Sequence, residues 1–240
     1  MGDKLYIVIP AYNEEENIEK VVKEWYQIVE QFGNESKLVV IDDGSKDQTY
    51  TKLLELAEGR PALVPLTKAN GGHGATVLYG YRYALENGAD YIFQTDSDGQ
   101  TEPGEFVYLW NKRVEFDMVI GNRNHRKDGG SRIFVTKVLK VILRMIFGVW
   151  VKDANTPFRI MKSSTLKEYL SIMPEDYNLP NIIISVAYIK NKKKVEYIPI
   201  TFRQRQGGIN SINLRKIAKI GIQAIKDFRF IKKQIVEMSR

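Results

Sequence analysis

Two acidic side chains one residue apart give the sequence its sharpest chemical signal. Asp96, Ser97 and Asp98 follow a short apolar segment that ends at Thr95. Carboxylates spaced in this way can offer hard oxygen ligands to Mg²⁺ or Mn²⁺, which keeps open positions for substrate phosphates, and Gln100 can supply another oxygen. Asp and Gly also favour turns, so the motif alone fits an acidic turn equally well. Its position at the end of a predicted strand favours a metal site over a simple turn.

Polar residues also follow two earlier apolar segments. Asp42 and Asp43 come directly after the run 38–41, where a carboxylate can accept hydrogen bonds from a base or a ribose. A capped strand-to-helix turn is the alternative. The segment 10–14 can wrap a nucleoside, although acidic residues near a helix start also suit the helix dipole. The glycine-rich loop 70–74 can let the backbone approach a phosphate, and we interpret its His73 as structural or superficial.

These polar groups punctuate an alternation of strand and helix patterns. Apolar runs at 5–9, 38–41, 63–66 and 91–95 predict four strands, and the segments between them have helical periodicity. Asn13 and Glu16 predict a capping box at the start of the first helix. Such a series indicates an α/β fold with a mostly parallel sheet flanked by helices. Ligands bind outside the carboxyl ends of such strands, so the motifs should converge there.

The second half has a less regular pattern. It contains no repeat and no low-complexity linker. We predict one domain over 1–213 and a basic amphipathic helical extension over 214–240. The elements expected within the domain are a strand at 117–120, a basic loop at 121–132, an apolar helix or helix pair at 133–151, a helix at 181–190 and a strand at 195–202.

Composition and charge narrow the classes of function. The 240 residues include no cysteine and two histidines, which excludes thiolate metal sites and disulfides. The net charge of +7 belongs to residues 205–240, with nine Lys or Arg against two Asp or Glu. A basic tail on a neutral body suggests an anionic partner, a membrane or a nucleic acid. Without a signal peptide pattern or a long apolar run, we expect a cytoplasmic protein bound peripherally to the cytoplasmic face of a membrane.

The motifs together resemble a known family. Residues 9–15 (Ile-Pro-Ala-Tyr-Asn-Glu-Glu), 42–45 (Asp-Asp-Gly-Ser) and 96–100 (Asp-Ser-Asp-Gly-Gln) come in the order and spacing of family 2 glycosyltransferases with the GT-A fold. The sequence is most similar to the branch of dolichyl-phosphate mannosyltransferase-like and bactoprenol glucosyltransferase-like enzymes. The resemblance implies transfer of a hexose from a UDP- or GDP-linked sugar to a polyprenyl phosphate, with Mg²⁺ or Mn²⁺ as cofactor.

The resemblance also assigns roles to individual residues. Metal binding falls to Asp96, Asp98 and Gln100, and Asp98 is also expected to take part in catalysis. The nucleotide sugar is assigned to Pro10, Ala11, Tyr12, Asn13, Glu14, Asp42, Asp43, Asp96 and Ser97.

Four arginines match family segments near phosphate or acceptor. Arg123 matches an arginine that reaches phosphate, and Arg132 one associated with the lipid phosphate. Arg159 matches the Phe-Arg element near the acceptor, and Arg205 begins an Arg-x-x-Gly element. The family branch usually continues there with Ser-Lys, whereas this chain has Asn-Ser at 210–211. Each arginine alone also fits an ordinary solvated side chain.

The chemical nature of the acceptor decides whether the reaction needs a general base. An ionised lipid phosphate can attack the anomeric carbon without a strong base, whereas a hydroxyl of a carbohydrate or glycolipid needs one, and Asp176 lies where many members keep it. In-line attack inverts the anomeric carbon in both cases. The rival hypotheses are a nucleotidyltransferase and a nucleic-acid-binding protein. We expect no nucleic acid partner, because the basic tail has few aromatic residues. The base, the sugar and the oligomeric state are left open.

Overall fold

A single sheet of seven strands organises the part of the chain that the structure describes. The structure is a computed structural model and describes residues 2–123, 129–203, 227–228 and 231–235, with only the backbone for 129–136. The strands are β1 (Leu5–Ala11), β2 (Lys37–Asp42), β3 (Leu63–Thr67), β4 (Tyr91–Gln94), β5 (Met118–Arg123), β6 (Arg159–Lys162) and β7 (Val195–Ile200).

Helices follow most of the strands and cover the sheet. Short 3₁₀ turns at Glu30–Phe32 and Pro103–Glu105 supplement them. The α-helices are α1 (Ile18–Val29), α2 (Thr49–Ala57), α3 (His73–Glu86), α4 (Phe106–Lys112), α5 (Gly129–Phe147), α6 (Ser163–Leu170) and α7 (Pro180–Lys190).

The strand order is β3-β2-β1-β4-β6-β5-β7. The pairs β1–β2, β1–β4, β2–β3 and β5–β7 are parallel, whereas β6 runs antiparallel to both β4 and β5. The predicted α/β class with a mostly parallel sheet is therefore confirmed. The antiparallel β6 was not predicted, since its four residues are too short for a clear pattern.

Each face of the sheet buries an apolar layer. On one face Trp25 of α1 packs at 5.2 Å, between ring centroids, from Phe93 of β4. On the other face α3 and α7 cover the sheet, and Tyr81 and Tyr188 are fully buried. Two covered faces explain why the strands read as continuous apolar runs.

The start of the first helix differs from the prediction. Asn13 has a φ of 53° and lies outside any helix, and α1 begins at Ile18 after Asn17. The Asn13 backbone N–H donates to Ser45 Oγ at 2.9 Å, and its side-chain oxygen accepts from the Lys46 amide at 2.9 Å. The capping-box prediction was wrong, because Asn13 caps a neighbouring loop and not its own helix.

The second half contains more structure than its pattern predicted. Helices α4 and α6 were not predicted, and β5 continues to Arg123, into the segment expected to be a loop. The tail residues Phe228, Ile231 and Ile235 are buried in the core. Residues 204–226 lie outside the description, so the division at 213 stays a prediction. Among the described residues, no helix combines the length and apolar character needed to cross a membrane.

Candidate active site

A cavity of about 360 Å³ opens where the predicted motifs meet. It lies at the carboxyl ends of β1, β2 and β4, and the loop before α3 closes its side. Parallel strands end at one edge of a sheet, which is why segments far apart in sequence meet there. The residues lining the cavity are Pro10, Ala11, Tyr12, Glu14, Asp43, Asn70, Gly72, His73, Thr76, Asp96, Ser97 and Asp98.

The loop after β1 is fixed against the loop after β2. In addition to the contacts of Asn13, the Glu14 backbone N–H donates to Thr49 Oγ1 at 2.9 Å. The Glu14 carboxylate accepts from Asn17 Nδ2 at 2.8 Å. Tyr12 remains 43% exposed at the cavity. The segment predicted to wrap a nucleoside therefore forms a rigid wall with one accessible aromatic ring.

The two adjacent aspartates after β2 have different surroundings. Asp42 is buried, accepts from the Ser45 amide at 3.1 Å and from the Thr67 hydroxyl at 2.8 Å, and is absent from the cavity wall. Gly44 has a φ of 67°, and a Cβ there would lie 2.9 Å from the Asn70 nitrogen. The turn therefore requires glycine. Asp42 shapes this turn, and Asp43 reaches the cavity.

Asp43 organises the glycine-rich loop. Its carboxylate accepts from Lys68 Nζ at 2.5 Å, the Gly71 amide at 2.9 Å and the Gly72 amide at 2.8 Å. Burial acts to raise the pKa of Asp43, but the hydrogen bonds from Lys68, Gly71 and Thr76 outweigh it and hold that pKa below its ordinary value. The carboxylate is therefore ionised, and it fixes the loop that leads into α3.

Asp96 and Asp98 lie together in the cavity wall, as the sequence predicted. Asp98 Oδ1 accepts from the Gln100 amide at 3.1 Å. Asp96 Oδ1 lies 2.9 Å from His73 Nε2. Lost hydration acts to lower the pKa of His73, but the charges of Asp96, Asp98 and Asp43 raise it overall. These acidic groups make the cavity strongly attractive to cations.

The two carboxylates suit a divalent cation that is completed by other ligands. No cluster of three or more His, Cys, Asp or Glu forms a metal cage among the described residues. Mg²⁺ commonly takes only one or two carboxylates, and substrate phosphates and water complete its shell. Asp96 and Asp98 therefore fit such an ion, whereas Gln100 is mostly buried and its Nε2 donates to the Arg203 carbonyl at 3.0 Å. Gln100 is not part of the cavity wall.

The arginines of the second half are engaged within the protein where they are described. Arg123 makes two hydrogen bonds of 2.8 Å to Asp153, and its guanidinium lies 5.2 Å from the Phe202 ring centroid. The side chain of Arg132 and all of Arg205 lie outside the description. Their predicted contacts with phosphate remain predictions.

Arg159 has a position that its sequence context did not indicate. It is fully buried, and its guanidinium donates to the carbonyls of Ala154, Thr156 and Asn181 and to the Ser185 hydroxyl. These five bonds occupy all five N–H groups of an arginine. In this arrangement Arg159 fixes the chain before β6 and the start of α7, and it has no donor left for an acceptor.

Asp176 lies in an exposed turn and is not part of the cavity wall. The same turn packs on the start of α3, where a Cβ on Gly74 would lie 2.4 Å from the Asn178 carbonyl. Glycine is required at 74 because backbone occupies that space. The arrangement brings the turn to the glycine-rich loop, but it leaves the Asp176 carboxylate in solvent.

Sequence reasoning singled out the loop 70–74 for its backbone, but it assigned no ligand role to side chains in this part of the wall. Asn70, His73 and Thr76 line the cavity, although His73 had been interpreted as structural or superficial. The available signal was topological, since the loop 68–72 follows β3 at the same edge as the other motifs. Asn70 Nδ2 also donates to the Asp43 carbonyl at 2.8 Å. The loop after β3 thus forms the cavity together with the loops after β1, β2 and β4.

An acidic cavity at the carboxyl edge of an α/β sheet lies where proteins of this architecture bind their ligands. The sequence profile of glycosyl transferase family 2 matches residues 6–170, and the chain belongs to this family. It is therefore a glycosyltransferase, and the GT-A fold inferred from the motifs is confirmed.

Curated relatives support the same branch. The chain is 28% identical over 239 residues to polyprenol monophosphomannose synthase of Mycolicibacterium smegmatis, covering 92% of this chain and 88% of that protein. It is 29% identical over 222 residues to UDP-N-acetylglucosamine–dolichyl-phosphate N-acetylglucosaminyltransferase of Methanococcus voltae, covering 83% and 86%. The resemblance to enzymes named for polyprenyl phosphates is thus confirmed.

A solved structure has a similar fold. Glucosyl-3-phosphoglycerate synthase from Mycobacterium tuberculosis, in complex with Mn²⁺, uridine diphosphate and phosphoglyceric acid, matches with a TM-score of 0.69 and 17% identity. The match covers 96% of this chain and 79% of that one. At this identity the likeness shows the fold.

Proposed function

We propose that this enzyme transfers a hexose from a UDP- or GDP-linked sugar to a polyprenyl phosphate, with inversion at the anomeric carbon. One observation carries the proposal: a single cavity is lined by Pro10, Ala11, Tyr12, Glu14, Asp43, Asp96 and Asp98. Asn13, although expected at the nucleotide sugar, is not part of its wall. One accessible aromatic ring beside paired carboxylates suits a nucleoside next to a metal-bound diphosphate. Two relatives named for polyprenyl or dolichyl phosphate favour a lipid phosphate as the acceptor.

Dependence on Mg²⁺ or Mn²⁺ follows from the charge of the cavity. Glu14, Asp43, Asp96 and Asp98 all line it, so a bare diphosphate would meet like charge. Asp96 and Asp98 would hold the cation, which would neutralise the departing diphosphate when bound. The fold relative from M. tuberculosis contains Mn²⁺ together with uridine diphosphate. Gln100 supports the loop and need not be a ligand.

A phosphate acceptor asks little of the protein beyond orientation. It is already ionised at neutral pH, so no residue has to remove a proton before it attacks. The protein's own task is to hold donor and acceptor in line and to exclude water. We assign contact with the acceptor phosphate to Arg132 and Arg205, and a positioning role to Arg123 through its pair with Asp153. In-line displacement at one carbon inverts its configuration.

The acceptor lipid requires a membrane surface, and α5 offers a face for it. Val138, Val141 and Met145 are 40%, 50% and 72% exposed and recur at helical spacing, and Trp150 beyond the helix is 62% exposed. Arg144 is also exposed on α5. Apolar residues with a basic edge suit the interface of an anionic membrane. We propose peripheral binding to the cytoplasmic face through this surface.

The alternative acceptor is a carbohydrate or glycolipid hydroxyl with Asp176 as general base. Such a base must come within hydrogen-bond reach of the proton that it removes. Asp176 is exposed and outside the cavity wall, so this alternative requires a rearrangement of the turn 174–178. A phosphate acceptor needs no general base, and we favour it.

The test is a transfer assay with labelled UDP- and GDP-sugars, Mn²⁺ or Mg²⁺, and a polyprenyl phosphate. We expect label from one donor in the organic phase, released by mild acid, and its loss in Asp98→Asn. Asp176→Asn serves as the matched aspartate control and should retain turnover. Label only in the aqueous phase, lost in Asp176→Asn, would contradict the lipid acceptor. Pyrophosphate release from a nucleoside triphosphate would indicate a nucleotidyltransferase instead.

A further inference from the structure

A short segment late in the chain is joined to the loop that carries Asp96 and Asp98. We call residues 201–203 the strap. The Arg203 backbone N–H donates to the Gln100 carbonyl at 2.7 Å, and Gln100 Nε2 donates back to the Arg203 carbonyl at 3.0 Å. Thr101 and Phe202 form an isolated antiparallel bridge between these bonds. The loop is thus paired in the manner of a strand immediately after Asp98.

Two acidic side chains hold the ends of the strap, Glu102 from the same loop and Glu105 from the 3₁₀ turn that follows it. Glu102 forms an ion pair with the Arg203 guanidinium. The Thr201 amide donates to the Glu105 carboxylate at 2.8 and 3.0 Å. Loops without regular structure are usually the most mobile parts of a protein. The number of contacts made by these three residues indicates that the strap restrains the loop after Asp98.

The strap also touches the second half of the site. The Arg123 guanidinium lies 5.2 Å from the ring centroid of Phe202, and Arg123 is paired with Asp153. Residues 201–203 therefore contact the loop of the acidic pair on one side and a predicted phosphate-side arginine on the other.

The geometry points to Arg203 and Glu102 as positioning residues for donor binding. Their ion pair holds the strap, and the Arg203 backbone is bonded to Gln100. The Gln100 backbone N–H in turn donates to Asp98 Oδ1 at 3.1 Å. The pair would thereby keep Asp98 in place to bind a divalent cation and, through it, the donor diphosphate. This inference rests on the proposed function, because it concerns the diphosphate end of the proposed donor. It makes nucleotide binding by the first half of the chain depend on a contact from residue 203.

The test measures nucleotide binding without any acceptor. Calorimetric titration of UDP and of GDP, each with Mn²⁺, would compare the wild type with Glu102→Gln and Arg203→Met. We expect about three- to tenfold weaker binding in both variants, with the unfolding temperature within about 2 °C of wild type. Arg203→Lys keeps the charge and should recover most of the affinity. The double variant should bind no more weakly than either single variant, because both break one contact.

A second ion pair of similar exposure is the matched control. Arg113 and Asp3 form an ion pair at 2.8 Å on another part of the surface. Asp3→Asn should leave nucleotide binding unchanged. Hydrogen exchange of the peptide covering 95–102 should accelerate in the strap variants without nucleotide, but not in Asp3→Asn.

Each outcome is decisive. Unchanged binding in both strap variants would overturn the positioning role alone. Weaker binding accompanied by a fall in unfolding temperature of more than about 5 °C would also overturn it, since lost stability would then suffice as the explanation. A wild type that binds neither nucleotide would overturn the proposed function, and this role with it.

Discussion

The acidic loops of the first half and the arginines of the second half use charge in opposite ways. Asp43, Asp96 and Asp98 line the cavity together with His73, and they give its wall an acidic character. Arg123 and Arg159 also match family segments with expected functional roles, but both are bonded within the protein. Arg123 pairs with Asp153, and Arg159 donates to buried carbonyls. In this structure, charged residues in two family motifs therefore bond within the protein and do not line the cavity.

Topology explains this contrast. The acidic loops leave the ends of parallel strands, where the chain turns away from the sheet and exposes its polar groups. Arg159 begins the antiparallel strand β6 and lies opposite Gln94 of β4, inside the sheet. A side chain at that position is covered by α7 and must satisfy its donors within the protein.

The largest expected effect is the loss of activity when an acidic loop loses one charge. Asp96→Asn should lower kcat/KM by at least about 100-fold, because the site loses electrostatic stabilisation where charge develops. Thermal unfolding should change little, since Asp96 is partly exposed. The matched substitution Asp176→Asn should stay within about threefold of wild type. Steady-state kinetics of the purified variants measures both effects. An Asp96→Asn enzyme with wild-type activity would contradict a role for this acidic loop in the reaction.

Arg159 should show the reverse pattern, with a loss of stability before any specific loss of binding. Lysine has three donors where the site offers five bonds, so Arg159→Lys leaves buried carbonyls unpaired. We expect the free energy of unfolding to fall by about 3 kcal/mol, measured by urea denaturation.

The control for this substitution is Arg60→Lys. The Arg60 guanidinium donates to the Leu56 carbonyl at 2.6 Å and lies 5.9 Å from the Tyr26 ring centroid, a contact that lysine can also make. The change in its free energy of unfolding should be within about 0.5 kcal/mol. If the Arg159→Lys protein were as stable as wild type but could not bind an acceptor, Arg159 would be a ligand-binding residue and not a structural one.

The same contrast determines how much the sequence could predict. The first four strands and the meeting of their loops followed from periodicity and topology. The position of Asn13 did not, because its conformation depends on contacts with Ser45 and Lys46, more than thirty residues away. A local capping rule cannot include such partners.

Burial was the other information that local pattern did not contain. Phe158 and Ile160 flank Arg159 and are both buried, but a polar residue between apolar ones usually faces solvent in a strand. Here both faces of the sheet are covered, so the alternation carries no such meaning. His73 posed the opposite problem: its loop follows β3 at the active edge, and topology indicated more than residue type.

A smaller effect should appear in the dependence of stability on pH. Because hydrogen bonds hold the pKa of Asp43 below its ordinary value, its contribution is full above about pH 4 and is lost as the pH falls through the lowered pKa. Asp43→Asn should cost about 1–2 kcal/mol of unfolding free energy at neutral pH, with a smaller difference in acid. Urea denaturation at pH 3 to 7 measures this.

The partner of Asp43 provides an independent check on that assignment. Lys68→Met removes the ammonium that donates to Asp43 at 2.5 Å, and it should reproduce part of the same loss. If Asp43→Asn and the wild type lose stability in parallel as the pH falls, the carboxylate does not organise the loop 68–72 in the way that its hydrogen bonds indicate.

The smallest effect should concern the exposed face of α5 and the residue beyond it. Trp150→Ser should weaken binding to anionic lipid vesicles about fivefold, since a large apolar side chain no longer enters the interface. Val114 is 64% exposed on the turn after α4, and Val114→Ser is the matched apolar control. Sedimentation with vesicles at two salt concentrations separates the apolar contribution from the charged one, because only the latter is screened. Equal losses in both variants would assign membrane binding to no particular face, and the second half would then contribute structure alone.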